Sequence, residues 1–147
     1  MDSPLRVIND EENFQSFRNL LKSSNLPADD LNFKKDLLVG YYEDGNMVGT
    51  GALEVYGDFA LLRSLSVKLG TRGKALGTAI TEHLIAEAKK KKLKGIYLLT
   101  ETAHGFFLRK GFQDVPRDKV PESLKASSEF SHVCADTALA MRLDIVG

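Results

Sequence analysis

The chain has 147 residues, with 20 basic and 20 acidic side chains and a formal net charge of zero at pH 7. That balance argues against a general nucleic-acid binder, which carries a basic excess. The length suits one domain, residues 1–147, with its own core. The one cysteine, Cys134, cannot form an internal disulfide and fits a reducing cytoplasm. The first residues show no basic-then-apolar leader, and no apolar run approaches a membrane span. The expectation is a cytoplasmic protein that engages neither membrane nor nucleic acid.

In chain order, residues 5–8 read as a first strand. Asn9 or Asp10 can cap a helix in which Phe14, Phe17 and Leu21 share a face. Residues 23–30 are polar, contain Pro27 and read as a loop. Residues 37–42 form a strand, Asp44-Gly45 a hairpin turn and residues 47–55 the returning strand. Gly57-Asp58 turns the chain into a third strand, residues 59–67. Residues 76–92 form the main helix, with Leu76, Ala79, Ile80, Leu84 and Ala88 on one stripe. Its lysines, Lys89 to Lys92, complement the C-terminal end of the helix dipole and face water. Then follow a strand at 95–100, a helix at 103–110, a short strand at 112–115, a helix at 121–130 and a closing strand at 138–143. Phe14, Phe17, Phe33 and Phe130 are assigned to the core.

The most informative junction runs from the strand ending at Val67 through Arg72-Gly73-Lys74-Ala75-Leu76-Gly77 into the main helix. A strand, a glycine-containing turn and a helix N-terminus form an anion site, because unpaired backbone N–H groups and the positive dipole end attract phosphate oxygens. A Walker loop needs Ser or Thr after Gly-Lys and a glycine five positions earlier. Here those positions hold Ala75 and Lys68. The dinucleotide fingerprint Gly-x-Gly-x-x-Gly is also absent.

What remains, Arg72-x-x-Ala75-x-Gly77 after Val67, resembles motif A of the GCN5-related N-acetyltransferases, the GNAT superfamily. In that family the turn, usually Arg/Gln-x-x-Gly-x-Gly/Ala, holds the pyrophosphate of acetyl-coenzyme A. Ala75 stands where the first glycine is usual and keeps its N–H. A second segment, Ala103-His104-Gly105-Phe106-Phe107-Leu108-Arg109-Lys110-Gly111-Phe112, resembles motif B of the family. The pair covers residues 59–112. The segments 56–64, 98–103, 120–123 and 128–130 resemble a GNAT subgroup associated with arsenic resistance. The broader group includes enzymes that acetylate the amino group of arsinothricin or phosphinothricin. Cys134 is similar to a cysteine of that subgroup, and with a single thiol it reads as a buried core residue.

The resemblance implies an α/β (α+β) GNAT fold, also called the acyl-CoA N-acyltransferase fold. Its central sheet is mixed and mostly antiparallel, with splayed central strands flanked by helices. It also implies acetyl-CoA as acetyl donor, a small-molecule amine as acceptor, no metal, and a homodimer as an assembly common in the family. Direct attack in a ternary complex follows, since the motifs position no nucleophile. Leu65, Ser66 and Val67 would contact the pantetheine arm. Gly73, Lys74, Ala75, Leu76, Gly77 and Thr78 would hold the pyrophosphate, with Arg72 as the leading basic residue. Thr100 stands where the family often has Asn. Phe107 stands where many members have a Tyr that protonates the leaving thiolate, so water, another group such as Tyr97 or no acid at all would serve that step, or the chain would turn over slowly.

The chemistry requires a base to deprotonate the ammonium and a donor for the oxyanion. Val67, at the end of the central strand, is where the resemblance puts the backbone donor. Glu54 and Glu101 are the candidate bases, each weighed against an ordinary solvated carboxylate, and His104 is a third option. Arg63 shares a face with Leu61 and Leu65 by alternation. It would either grip an acceptor carboxylate, arsinate or phosphinate or form an ion pair with Glu54 or Glu101. Tyr56 would line the same pocket or end its strand as a packed aromatic. The leading expectation is an acetyltransferase for a small, amino-acid-like, anionic acceptor. The alternatives are an acyl-CoA sensor with little turnover and a peptide N-acetyltransferase.

Overall fold

A computed structural model describes residues 4–26, 28–68, 70, 73–101, 103–126 and 138–145. The elements are β1 (Leu5–Val7), α1 (Glu11–Ser23), β2 (Leu37–Glu43), β3 (Asn46–Tyr56), β4 (Phe59–Val67), α2 (Gly73–Lys90), β5 (Gly95–Thr100), α3 (His104–Arg109), β6 (Gln113–Asp114) and β7 (Leu139–Asp144). Seven strands make one sheet in the order β1-β2-β3-β4-β5-β7-β6. Every neighbouring pair is antiparallel except β4 and β5, which run parallel. A parallel pair needs a crossover, and α2 supplies it.

Local chemistry explains the elements. Asp10 caps α1 by accepting the Asn13 N–H at 2.7 Å, and Glu11 and Glu12 in the first turn suit its positive end. Asp44 and Gly45 have φ of 52° and 80°, the left-handed pair of a two-residue hairpin. Phe14, Phe17 and Leu21 of α1 pack with Leu38 and Ala52 on one face of the sheet. Ile80, Leu84 and Ala88 of α2 pack with Val39, Leu53, Ala60 and Leu62 on the other, joined by Phe107 and Phe112. The helix comes close there because β3 has glycine beneath it. A Cβ on Gly51 would stand 2.4 Å from Ile80 Cγ2 and 3.0 Å from Leu84 Cδ1.

The main helix begins at Gly73, three residues before its expected start, and ends at Lys90, and two further local expectations change. The segment after Pro121 forms only a single 3₁₀ turn, Leu124–Ala126, within the described residues. Its bonds run from Leu124 N–H to Pro121 and from Lys125 N–H to Glu122, three residues back, with buried Leu124 as the apolar anchor. Residues 127–130, and with them Phe130, lie outside the described part, as does Cys134.

The second change is a β-bulge in β4. Thr50 pairs with Ser66 while Ala52 pairs with Arg63, so Gly51 faces both Ser64 and Leu65. Ser64 takes φ of 63° to make the bulge. The extra residue reverses the alternation. Leu61 packs with Tyr97, Val120 and Leu124, whereas Leu65 joins Leu62 on the α2 face. Arg63 and Leu65 therefore point to opposite faces, which corrects the simple alternation.

Candidate functional site

The parallel pairing of β4 with β5 is short. Phe59, Ala60 and Leu61 pair with Gly95, Ile96 and Tyr97, and the described ladder stops there. Beyond it β4 runs on to Val67 and β5 to Thr100. The two strands part into a cleft of about 350 Å³. Leu62, Arg63, Ser64 and Leu65 form its β4 wall, and Leu98, Leu99, Thr100 and Glu101 its β5 wall. Phe107 closes one side and Ser24, Asn25 and Leu26, at the end of α1, another.

The bulge shapes this cleft. Thr50 Oγ1 donates to the Ser64 carbonyl oxygen at 2.7 Å, and both residues are buried. The Ser64 hydroxyl itself has no hydrogen-bond partner among the described residues. Ser66 turns to the α1 side, where its hydroxyl meets that of Ser24 at 2.6 Å. Ser24 also borders a wider hollow of about 860 Å³ between α1, the β2–β3 hairpin and the end of β4. Val67 pairs with Gly49 and lines this second hollow rather than the cleft.

At the far end of β4, α2 begins at Gly73. The N–H groups of its first turn have no acceptor within the helix, and 18 residues of aligned peptide dipoles stand behind them. Leu76 and Gly77 are buried, Thr78 is half-buried and Ala75 is exposed. Gly77 rests against the Phe106 ring of α3, where a Cβ would lie 3.5 Å from its edge. Arg72 and the Lys74 side chain are outside the described part.

Arg63 is an ion-paired arginine. Its Nη1 lies 2.5 Å from Asp30 Oδ2 and 3.2 Å from Glu54 Oε1, and its Nη2 is 3.0 Å from Asp30 Oδ1. The arginine side chain is fully buried and that of Glu54 is 3% exposed. Tyr56 donates its hydroxyl to Glu54 at 3.1 Å and packs its ring in the cluster of Leu61 and Tyr97. Buried charge of this kind must be paired. Of the two partners expected from the sequence, Glu54 is present. Asp30, 33 positions away on the loop after α1, was missed. The only signal for it was that an arginine inside an apolar strand needs a carboxylate.

The candidate bases separate accordingly. Glu54 belongs to the buried cluster and is not part of the cleft wall. Glu101 is exposed at the cleft, just past the end of β5. His104 lies outside the cleft and pairs through Nε2 with Asp114 at 2.7 Å. Thr100 Oγ1 accepts the Ala103 N–H at 2.9 Å and so ties β5 to α3. Phe107 is buried, edge-on to Phe106 and Phe112, and forms an apolar wall. Tyr97 is not part of the cleft wall; its hydroxyl accepts from Arg142 Nη1 at 2.6 Å, on the face of Leu61.

Asp36, at the end of the same loop, has its carboxyl pushed above the ordinary value by burial. The Asn32 N–H opposes this, and the charge of Glu54 adds to it. Among the described residues no helix is long and apolar enough to cross a membrane. No group of three or more His, Cys, Asp or Glu side chains there could hold a metal ion.

Residues 34–114 match the acetyltransferase (GNAT) domain family. An amino-acid acetyltransferase of Mycobacterium tuberculosis is 30% identical over 104 residues, 69% of this chain and 56% of its own length. The chain thus spans about half of that relative. N-acetylglutamate synthase of Neisseria gonorrhoeae, solved with coenzyme A and N-acetyl-glutamate, superposes with a TM-score of 0.76 at 14% identity. That match covers 100% of this chain and 36% of the synthase chain. GCN5 of Tetrahymena superposes with a TM-score of 0.76 at 15% identity, covering 99% of this chain and 97% of its own. At these identities the solved structures speak for the fold.

Proposed function

The chain belongs to the GNAT acetyltransferase family, and from that premise we propose that it transfers acetyl from acetyl-CoA to the amine of a small, amino-acid-like acceptor. The observation that carries this reading is the parting of β4 from β5 after Leu61 and Tyr97, with the open N-terminus of α2 beyond it. The parted edge of β4, with Leu65, Ser66 and Val67, would receive the pantetheine arm. The first turn of α2, from Gly73 to Thr78 and led by Arg72, would hold the pyrophosphate. Phe107 would pack against the coenzyme, and Thr100 would shape the wall behind it. An amino-acid acceptor is supported by the Mycobacterium tuberculosis relative and by the ligands of the Neisseria gonorrhoeae enzyme.

In the reaction the amine attacks the thioester carbon, and a backbone N–H of the parted β4 edge, toward Val67, steadies the oxyanion. Glu101 takes the ammonium proton directly or through water, since it stands at the cleft. Glu54 and Tyr56 act behind it by fixing Arg63. An acceptor carboxylate, arsinate or phosphinate would compete with Asp30 for that guanidinium. The arsenic-associated subgroup and a dimer belong to this proposal and rest on the sequence resemblance, and a cytoplasmic location belongs to it on the strength of the lone cysteine. A second reading, an acyl-CoA sensor with little turnover, is favoured by Phe107, which brings no proton to the cleft.

Calorimetric titration with acetyl-CoA, coenzyme A and ATP tests the cradle, followed by a thiol-release screen over amino acids and their arsinate and phosphinate analogues. Binding of both coenzyme forms but not ATP, with thiol release on one amine, is expected. Binding without release for any amine means the sensor. No coenzyme binding ends both readings.

A further inference from the structure

Ser64 combines three observations that none of the roles above uses. It is 5% exposed, it holds a left-handed φ of 63°, and its hydroxyl is buried without a hydrogen-bond partner among the described residues. A left-handed serine is strained relative to a strand conformation. A buried hydroxyl with no partner adds a desolvation cost. Ser64 stands in the wall of the cleft between β4 and β5, opposite a Phe107 that has no donor to give. Of the other hydroxyls in that wall, Ser24 pairs with Ser66 and Thr100 accepts the Ala103 N–H.

We infer that the Ser64 hydroxyl is a side-chain hydrogen-bond donor to the acetyl carbonyl oxygen of the bound thioester. This rests on the acetyl-CoA reading above and adds a residue to it. In the step, the amine nitrogen forms a bond to the carbonyl carbon and the C=O electron pair moves onto oxygen. The Ser64 O–H binds that oxyanion without giving up its proton. The ammonium proton goes to the base, the C–S bond then breaks, and the coenzyme leaves as thiolate, which solvent protonates. A serine hydroxyl is too weak an acid to protonate the thiolate, whereas a charge-assisted hydrogen bond to oxygen needs no transfer.

The test uses two variants of the full chain, Ser64→Ala and Ser64→Gly. Glycine accepts the left-handed backbone without strain, so Ser64→Gly removes the hydroxyl while keeping the bulge. Isotope-edited infrared spectra of bound acetyl-CoA, ¹³C-labelled at the acetyl carbonyl, read the hydrogen bond directly. The expected result is a carbonyl band lowered in the unaltered protein and returned toward its solution position in both variants, at unchanged coenzyme A affinity, with Ser64→Gly melting no lower than the unaltered protein. An identical band in all three proteins overturns the inference and leaves the coenzyme reading standing. Failure of the unaltered protein to bind acetyl-CoA overturns the acetyltransferase reading, and this inference with it.

Discussion

Thr50 and Ser64 are joined across β3 and β4 by a 2.7 Å hydrogen bond from the Thr50 hydroxyl to the Ser64 carbonyl oxygen. The bond spans the irregular register where Gly51 faces two residues of β4. It satisfies a carbonyl that the bulge takes out of the ladder. One threonine thereby holds the backbone from which the cleft wall is built.

Replacing Thr50 by valine keeps the shape and removes the donor, leaving a buried carbonyl unsatisfied. The expected loss is about 1–3 kcal/mol of stability, read by urea denaturation. Thr50→Ser, which retains the donor, should recover most of it. A Thr50→Val variant as stable as the parent, with the loss confined to Thr50→Ser, would show that packing of the methyl group, and not the hydrogen bond, matters at this site.

Arg63→Met leaves Asp30 and Glu54 facing each other across a buried gap. Removing one partner of a buried ion cluster costs about 3–5 kcal/mol, and the partial exposure of Asp30 puts this variant at the lower end. The double variant Arg63→Met with Glu54→Leu should unfold at higher urea than the single one, because the more deeply buried of the two stranded carboxylates is gone. A single variant as stable as the parent would mean that the cluster contributes nothing net.

Gly51→Ala drives a methyl group into Ile80, which must move with α2 or force the sheet apart. Overpacking of this kind costs about 1–3 kcal/mol. Ile80→Ala in the same chain makes room for it, so the pair should be more stable than the sum of the two single changes. Thermal melts of the four proteins give the coupling, and strict additivity would refute the contact.

Asp36 sets a pH dependence. Burial raises its carboxyl pKa in the folded chain, so the folded state holds the proton more tightly than the unfolded state. The stability this contributes is complete below the unfolded value, near pH 4, and is lost as pH rises through the folded one. Asp36→Asn cannot titrate, and its Oδ1 can still accept the Asn32 N–H. Its stability relative to the parent should therefore rise as pH goes from below 4 to 7. A parent-to-variant difference that stays constant over that range would contradict the assignment.

Phe107→Tyr places a hydroxyl at the cleft wall where the family often carries one. If loss of the thiolate limits turnover, kcat in the thiol-release assay should rise, since a positioned acid is worth about 10²–10⁴ in rate. An unchanged kcat would mean that solvent protonates the thiolate well enough or that another step is slower.

Much of the fold was legible because its signals are local. The Asp10 cap, the Asp44-Gly45 turn, the Phe14-Phe17-Leu21 stripe and the spans of β4 and β5 depend on spacings of a few residues, and the structure has them. The strand–turn–helix order around Val67 and Gly73, and the pairing of that motif with the Phe107 segment, marked the family by themselves. They also showed that Phe107 brings no donor.

Only the tertiary structure decided which residues form the cleft. The bulge at Ser64 depends on the register with β3 and on the room that Gly51 leaves under Ile80, neither of which is written in β4. It sends Arg63 and Leu65 to opposite faces and leaves Val67 beside the second hollow. Asp30 reaches Arg63 only because the loop after α1 folds back over the sheet, a contact across 33 positions. Short-range periodicity fixes which faces are apolar. The pairing of one buried charge with a distant partner, and the orphaning of one buried hydroxyl, are set by how the layers close on one another.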